Sequence, residues 1–95
     1  MPKITRVADP VSCGDHLAEG SPDVFANNLP VVRLNDPTTG HGCFPSTVII
    51  STVKTVYANN ILVSAVGVSN IETHCCVICH SGSVSDGSPN VFAEG

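Results

Sequence analysis

Hydrophobic residues in this chain fall in short alternating runs. Around each of three aromatics the order is Val, aromatic, Ala: VFANN at 24–28, VYANN at 56–60 and VFAEG at 91–95. Runs such as PVVRL (30–34) and STVIISTVKTVYA (46–58) are β-branched and bounded by Gly, Pro, Asn and Asp. Period-two alternation in stiff side chains predicts short strands. No segment carries a convincing helical period. Asn27-Asn28 and Asn59-Asn60 suit the positive φ of tight hairpin turns, so a copy reads as strand, two-residue turn, strand.

The aromatics Phe25, Tyr57 and Phe92 are 32 and 35 residues apart, so each unit takes roughly a third of the chain. GSPDVFANN (20–28) returns as GSPNVFAEG (87–95). After the turn, the first two copies continue as LPVVRLND (29–36) and ILVSAVGVSN (61–70), whereas the third stops before this half. Units at approximately 9–36, 37–70 and 71–95 divide one domain, 1–95. A unit so small cannot bury its own apolar face, so three should pack around a common axis. The expected fold is all-β: a compact pseudo-threefold cone of three short β-hairpin repeats.

Composition adds a constraint. With no Trp, one Tyr and three Phe in 95 residues, the core is thin, and a staple is expected to support it. Net charge is −4, and Lys3, Arg6, Arg33 and Lys54 are the four cations, which argues against a nucleic-acid partner. MPKITRVADP lacks the apolar run of a secretory signal, and no segment reaches the ~20 apolar residues of a membrane helix. A soluble chain made in a cytoplasm is expected. There its five cysteines point to a metal more than to disulfides.

All four His and all five Cys lie in three clusters outside the expected strands: SCGDH (12–16), GHGC (40–43) and THCCVICH (73–80). Each precedes a VFA-type strand, so the clusters should converge at one end of the axis, as a tetrahedral zinc-type site requires; iron also accepts such donors. Cys13 and His80 each lie 12 residues before their aromatic, and His41 and Cys76 each lie 16 before theirs. The first-choice ligands are His16, His41, Cys76 and His80. Cys13, His74 and Cys75 are reserves, and Cys43 and Cys79 are less favoured. A disulfide among Cys75, Cys76 and Cys79 is the main alternative, although a vicinal pair has poor geometry for one. Surplus ligands, and carboxylates Asp15 and Glu72 without a helical frame, favour a closed structural ion over a catalytic one. No GxSxG elbow is present, and no enzyme is expected.

The sequence resembles the PAAR-repeat proteins. Their repeat reads approximately as an HG-type loop, GSPxVxxNG, then a Pro-Ala-Ala-Arg tetrad and Gly-Asp. Here GSPDVFANN-LPVVRLND carries it, with Pro30-Val31-Val32-Arg33 at the tetrad. Leu62-Val63-Ser64-Ala65 stands there in the second copy, where Ser51-Thr52 replaces Gly-Ser, and HSGSVSDGSPNVF begins the third. The resemblance implies a small cone with a zinc-type ion held by His and Cys near its vertex. It matches the loops of His41 and His80 best; the first and third loops depart from the pattern at His16 and Cys76. It further implies a membrane-piercing tip, one monomer seated by its wide base on a homotrimeric β-helical spike. The spike would belong to a contractile phage tail or a type VI secretion apparatus. The location implied is the tip of a virion baseplate or secreted spike, with the target cell envelope as a transient partner. Other readings are a small His/Cys metal-binding or redox module using Cys75, Cys76 and Cys79, and a metallohydrolase with an open coordination position.

Overall fold

The computed structural model describes residues 2–93. It is all-β, with no helix among the described residues. Strand β1 (Phe25–Ala26) pairs antiparallel with β2 (Leu29–Pro30), β3 (Tyr57–Ala58) with β4 (Ile61–Leu62), and β5 (Asn70–Cys76) with β6 (Ile78–Ser83). Asn27 and Asn28 have φ of 54° and 67°, and Asn59 and Asn60 have 56° and 64°. Two positive φ values in a two-residue loop are the type I′ geometry that matches strand twist.

The β-branched runs make less continuous strand than their composition predicts. Pairing lasts two residues in each of the first two hairpins and then moves to another neighbour. Arg6 bridges Val31, Arg33 bridges Val63, and Ile4 bridges Ala65. The chain therefore spends its backbone hydrogen bonds between units.

The N-terminal segment supplies the missing half of the third copy. Lys3 pairs antiparallel with Phe92, as Pro30 does with Phe25 and Leu62 with Tyr57. The amides of Val7, Leu34 and Val66 then donate to the carbonyls of Pro30, Leu62 and Lys3, at 2.9 Å in each case. ITRVADP (4–10) is thus the counterpart of VVRLNDP (31–37). At the centre three backbone bonds close a ring: Val32 to the Thr5 carbonyl (3.0 Å), Ser64 to Val32 (2.9 Å) and Thr5 to Ser64 (3.2 Å). All three residues are fully buried, and the pseudo-threefold axis passes through this ring. The left-handed residues repeat too: Ala8, Asn35 and Gly67 have φ of 77°, 69° and 82°.

Two apolar clusters flank the ring. One contains Ile4, Val31 and Val63 with Ala26, Ala58 and Ala93. The other contains Leu17, Ile49 and Val84 with Val11, Val32 and Ile71. Each unit places equivalent residues in both. The alternation that buries the three alanines turns Phe25, Tyr57 and Phe92 outward, 56%, 59% and 46% exposed.

The repeated GSP has a physical reason. A Cβ on Gly20 would lie 2.5 Å from the Val31 carbonyl oxygen, and one on Gly87 would lie 2.5 Å from that of Ile4. Ser21 and Ser88 accept the amides of Val24 and Val91 (2.9 Å each) and donate to Asn59 and Asn27 in the neighbouring turns. Arg33 and Arg6 reach the same two asparagines while holding Asp36 and Asp9 through two bonds each. The register in the second copy is one residue later than the sequence reading. Val53 donates to Val63 as Ser21 does to Val31, which puts Thr52-Val53 at the Gly-Ser position.

Candidate metal centre

The third His/Cys cluster is a hairpin, where a loop outside the strands was expected. THCCVICH forms the facing ends of β5 and β6, with His74 opposite His80, Cys75 opposite Cys79 and Cys76 opposite Ile78. Val77 sits alone at the apex with φ of 65°, an unfavourable conformation for a β-branched residue. Strand alternation puts His74, Cys76 and His80 on one face and Cys75 and Cys79 on the other.

Four donors meet on the inner face. The ligand atoms of Cys13, His41, His74 and His80 all lie within 4.8 Å of one another. His41 Nε2 is 3.3 Å from His74 Nε2 and 3.0 Å from His80 Nε2, and the last two are 2.8 Å apart. Bonds of ~2.0–2.1 Å to a tetrahedral ion separate two nitrogens by roughly 3.3 Å, so the three imidazoles stand close to the edges of such a site. Neutral imidazoles cannot all satisfy one another at these distances, because each offers one N–H. A cation among them accepts every lone pair. These four residues can hold a metal ion.

Supporting groups fix the donors. His74 Nδ1 donates to the Pro45 carbonyl at 2.8 Å. That bond leaves Nε2 unprotonated for a metal in the neutral ring. Phe44 packs against all three imidazoles, its centroid 4.0 Å from that of His80 and 5.0 Å from those of His41 and His74. Cys13 rests against β6 where Gly82 has no side chain; a Cβ there would be 3.0 Å from Cys13 Sγ. Fully buried Asp15 ties the loops of Cys13 and His41, accepting the His16 amide (2.8 Å) and the Thr39 hydroxyl (3.0 Å). Burial opposes its ionisation, but donors from Thr38, His16, Thr39 and Gly40 outweigh that and hold the carboxyl below its usual range. His80 is held below the usual imidazole range by desolvation and by repulsion from His74 and His41, so it stays neutral further into acid.

No protein-family model matches the chain, and no curated protein matches it.

Of the expected ligands, the structure brings His41 and His80 together and leaves His16 and Cys76 out. Gly14, with φ of 102°, turns the chain between Cys13 and His16; His16 is exposed and bridges Pro10. Cys76 lies two residues nearer the apex than His74 and bonds Cys43 in a disulfide. A second disulfide joins Cys75 to Cys79 across the outer face. Disulfides were the weaker expectation for these thiols, yet they take four of the five. Cys13 is the free one, and it is the one in the metal group. The signal for His74 was in the sequence: HCC-V-ICH is nearly palindromic about Val77, the pattern of a hairpin in which His faces His. Phe44 carried no such signal beyond its place beside His41 and Cys43.

Proposed function

We propose that this chain is a non-enzymatic tip, stapled by one zinc ion, that caps a trimeric β-helical spike of a contractile injection machine and leads it through a target envelope. One observation carries the reading: the Thr5–Val32–Ser64 ring relates three units of one chain around an axis, so a single copy offers three similar faces to a threefold partner. The exposed Phe25, Tyr57 and Phe92 occupy equivalent positions around that axis and form the apolar set such a partner would bury. Cys13 thiolate and the Nε2 atoms of His41, His74 and His80 would hold the zinc, whose part is to fasten three segments of the chain where the core is thin. The resemblance to PAAR-repeat proteins points to the same role.

The test is reconstitution with a homotrimeric β-helical spike, read by light scattering and metal analysis. One chain and one zinc per trimer are expected, with Phe25→Asp/Tyr57→Asp weakening the complex. Absence of a complex, or three chains per trimer, counts against the proposal.

A further inference from the structure

The disulfide beside the metal group shares its chain segments with the ligands. Cys43 and Cys76 are 33 residues apart in sequence, with Cα atoms 5.7 Å apart. Cys76 follows His74 by two residues on the same face of β5. Cys43 lies between His41 and Phe44, which exchange backbone bonds of 3.1 and 2.9 Å, so it belongs to the same four-residue turn as His41. That turn is preceded by Gly40 and contains Gly42, at φ of 78° and 56°. A Cβ on Gly42 would meet nothing within 4 Å. Noncovalent attachment of this stretch to the hairpin comes from the Phe44 ring contacts, the Pro45 carbonyl bond to His74 and, just beyond the turn, the Thr47 hydroxyl bond to the Glu72 carbonyl (2.9 Å). The Cys43–Cys76 disulfide adds a covalent tie two residues from His41.

We infer that the Cys43–Cys76 disulfide is a redox gate on the metal site. The inference rests on the reading of Cys13, His41, His74 and His80 as ligands. Closed, the bond holds His41 Nε2 among the other donors; open, it frees the turn, and the ion loses a positioned ligand. Linkage makes the effect reciprocal, so a bound ion protects the disulfide from reduction. Cys43 is exposed and open to a reductant. With a phosphine and water, phosphorus attacks one sulfur and the other leaves as a thiolate that takes a proton. Hydrolysis of the phosphonium thioether then yields the second thiol and phosphine oxide. Two electrons pass from phosphorus to the sulfurs. Cys75–Cys79 closes only the hairpin's outer face, and its reduction releases no ligand.

The experiment measures zinc affinity by competition with a chromophoric chelator, for oxidised protein and for protein reduced by a water-soluble phosphine. Reduction is expected to weaken binding by at least about tenfold, within the usual range of coupling between sites. Cys43→Ser/Cys76→Ser should bind weakly under both conditions, whereas Cys75→Ser/Cys79→Ser should keep the difference. Reduced protein binding as tightly as oxidised, or a difference that persists in Cys43→Ser/Cys76→Ser, overturns the gate. Should that variant not fold, the wild type still decides: in a glutathione redox buffer, saturating zinc should shift the equilibrium of Cys43–Cys76 about tenfold toward the disulfide, read by alkylation and peptide mass, and an unshifted equilibrium overturns the inference. Oxidised protein that binds no zinc sinks the ligand reading and the gate together; zinc binding indifferent to reduction sinks the gate alone.

Discussion

Single residues decide how tightly the units and the metal group close. Replacing His74 by Ala removes a donor seated by Pro45 and packed at a tilt against Phe44. Its effect on zinc affinity should exceed the ~10–100-fold cost of losing an outer-shell partner. His16→Ala, at an exposed position outside the group, should leave stoichiometry unchanged; metal analysis after dialysis checks both. Ala8 offers a second test. A left-handed Ala costs ~1–2 kcal/mol, whereas Gly costs ~0.4–1 kcal/mol more entropy on folding, so Ala8→Gly should stabilise by up to about 1.6 kcal/mol in urea unfolding. At this scale the sequence confined the donors to three clusters. It did not choose among them, because a glycine turn separates Cys13 from His16, and two residues along one strand face separate His74 from Cys76, neither of them visible in spacing from the aromatics.

At the scale of elements, the hairpins follow from local chemistry. Paired asparagines supply type I′ turns, and Val-aromatic-Ala sends the small side chain inward and the ring outward. The β5–β6 hairpin was harder to see: its sequence is polar and cysteine-rich, and one disulfide, Cys75–Cys79, crosses its pairing. The GSP corners are close backbone crossings. Gly20→Ala and Gly87→Ala push a methyl against a carbonyl oxygen and should each cost about 1–3 kcal/mol, the range of overpacking in a dense interior. Thermal unfolding of the two variants checks the equivalence. Costs near zero at both positions would show that the corners yield and that the repeated glycine has another cause.

The whole molecule depends on its N-terminal segment and its central ring. Ile4 and Thr5 complete the apolar cluster and the ring, so deletion of residues 1–9 should abolish cooperative unfolding, as near-ultraviolet dichroism would show. The metal-free protein should also lose stability as pH falls. Desolvation and its neighbours keep folded His80 below the ordinary imidazole range, so the unfolded chain takes up the proton first. The penalty begins near the ordinary histidine pKa of ~6.5 and is complete below the depressed folded value. A lower urea midpoint at pH 5.5 than at pH 8, with the difference reduced in His80→Phe, is the expected result. By itself the sequence determined the all-β class, the three-unit period, the turn chemistry and the crowding of His and Cys into three clusters, because each is written in local pattern and spacing. Only the tertiary structure decided that residues 3–10 complete the third unit, that Cys13 and His74 join His41 and His80, and that four thiols pair with one another. Those outcomes depend on which distant backbones meet around the axis, and no local propensity encodes that.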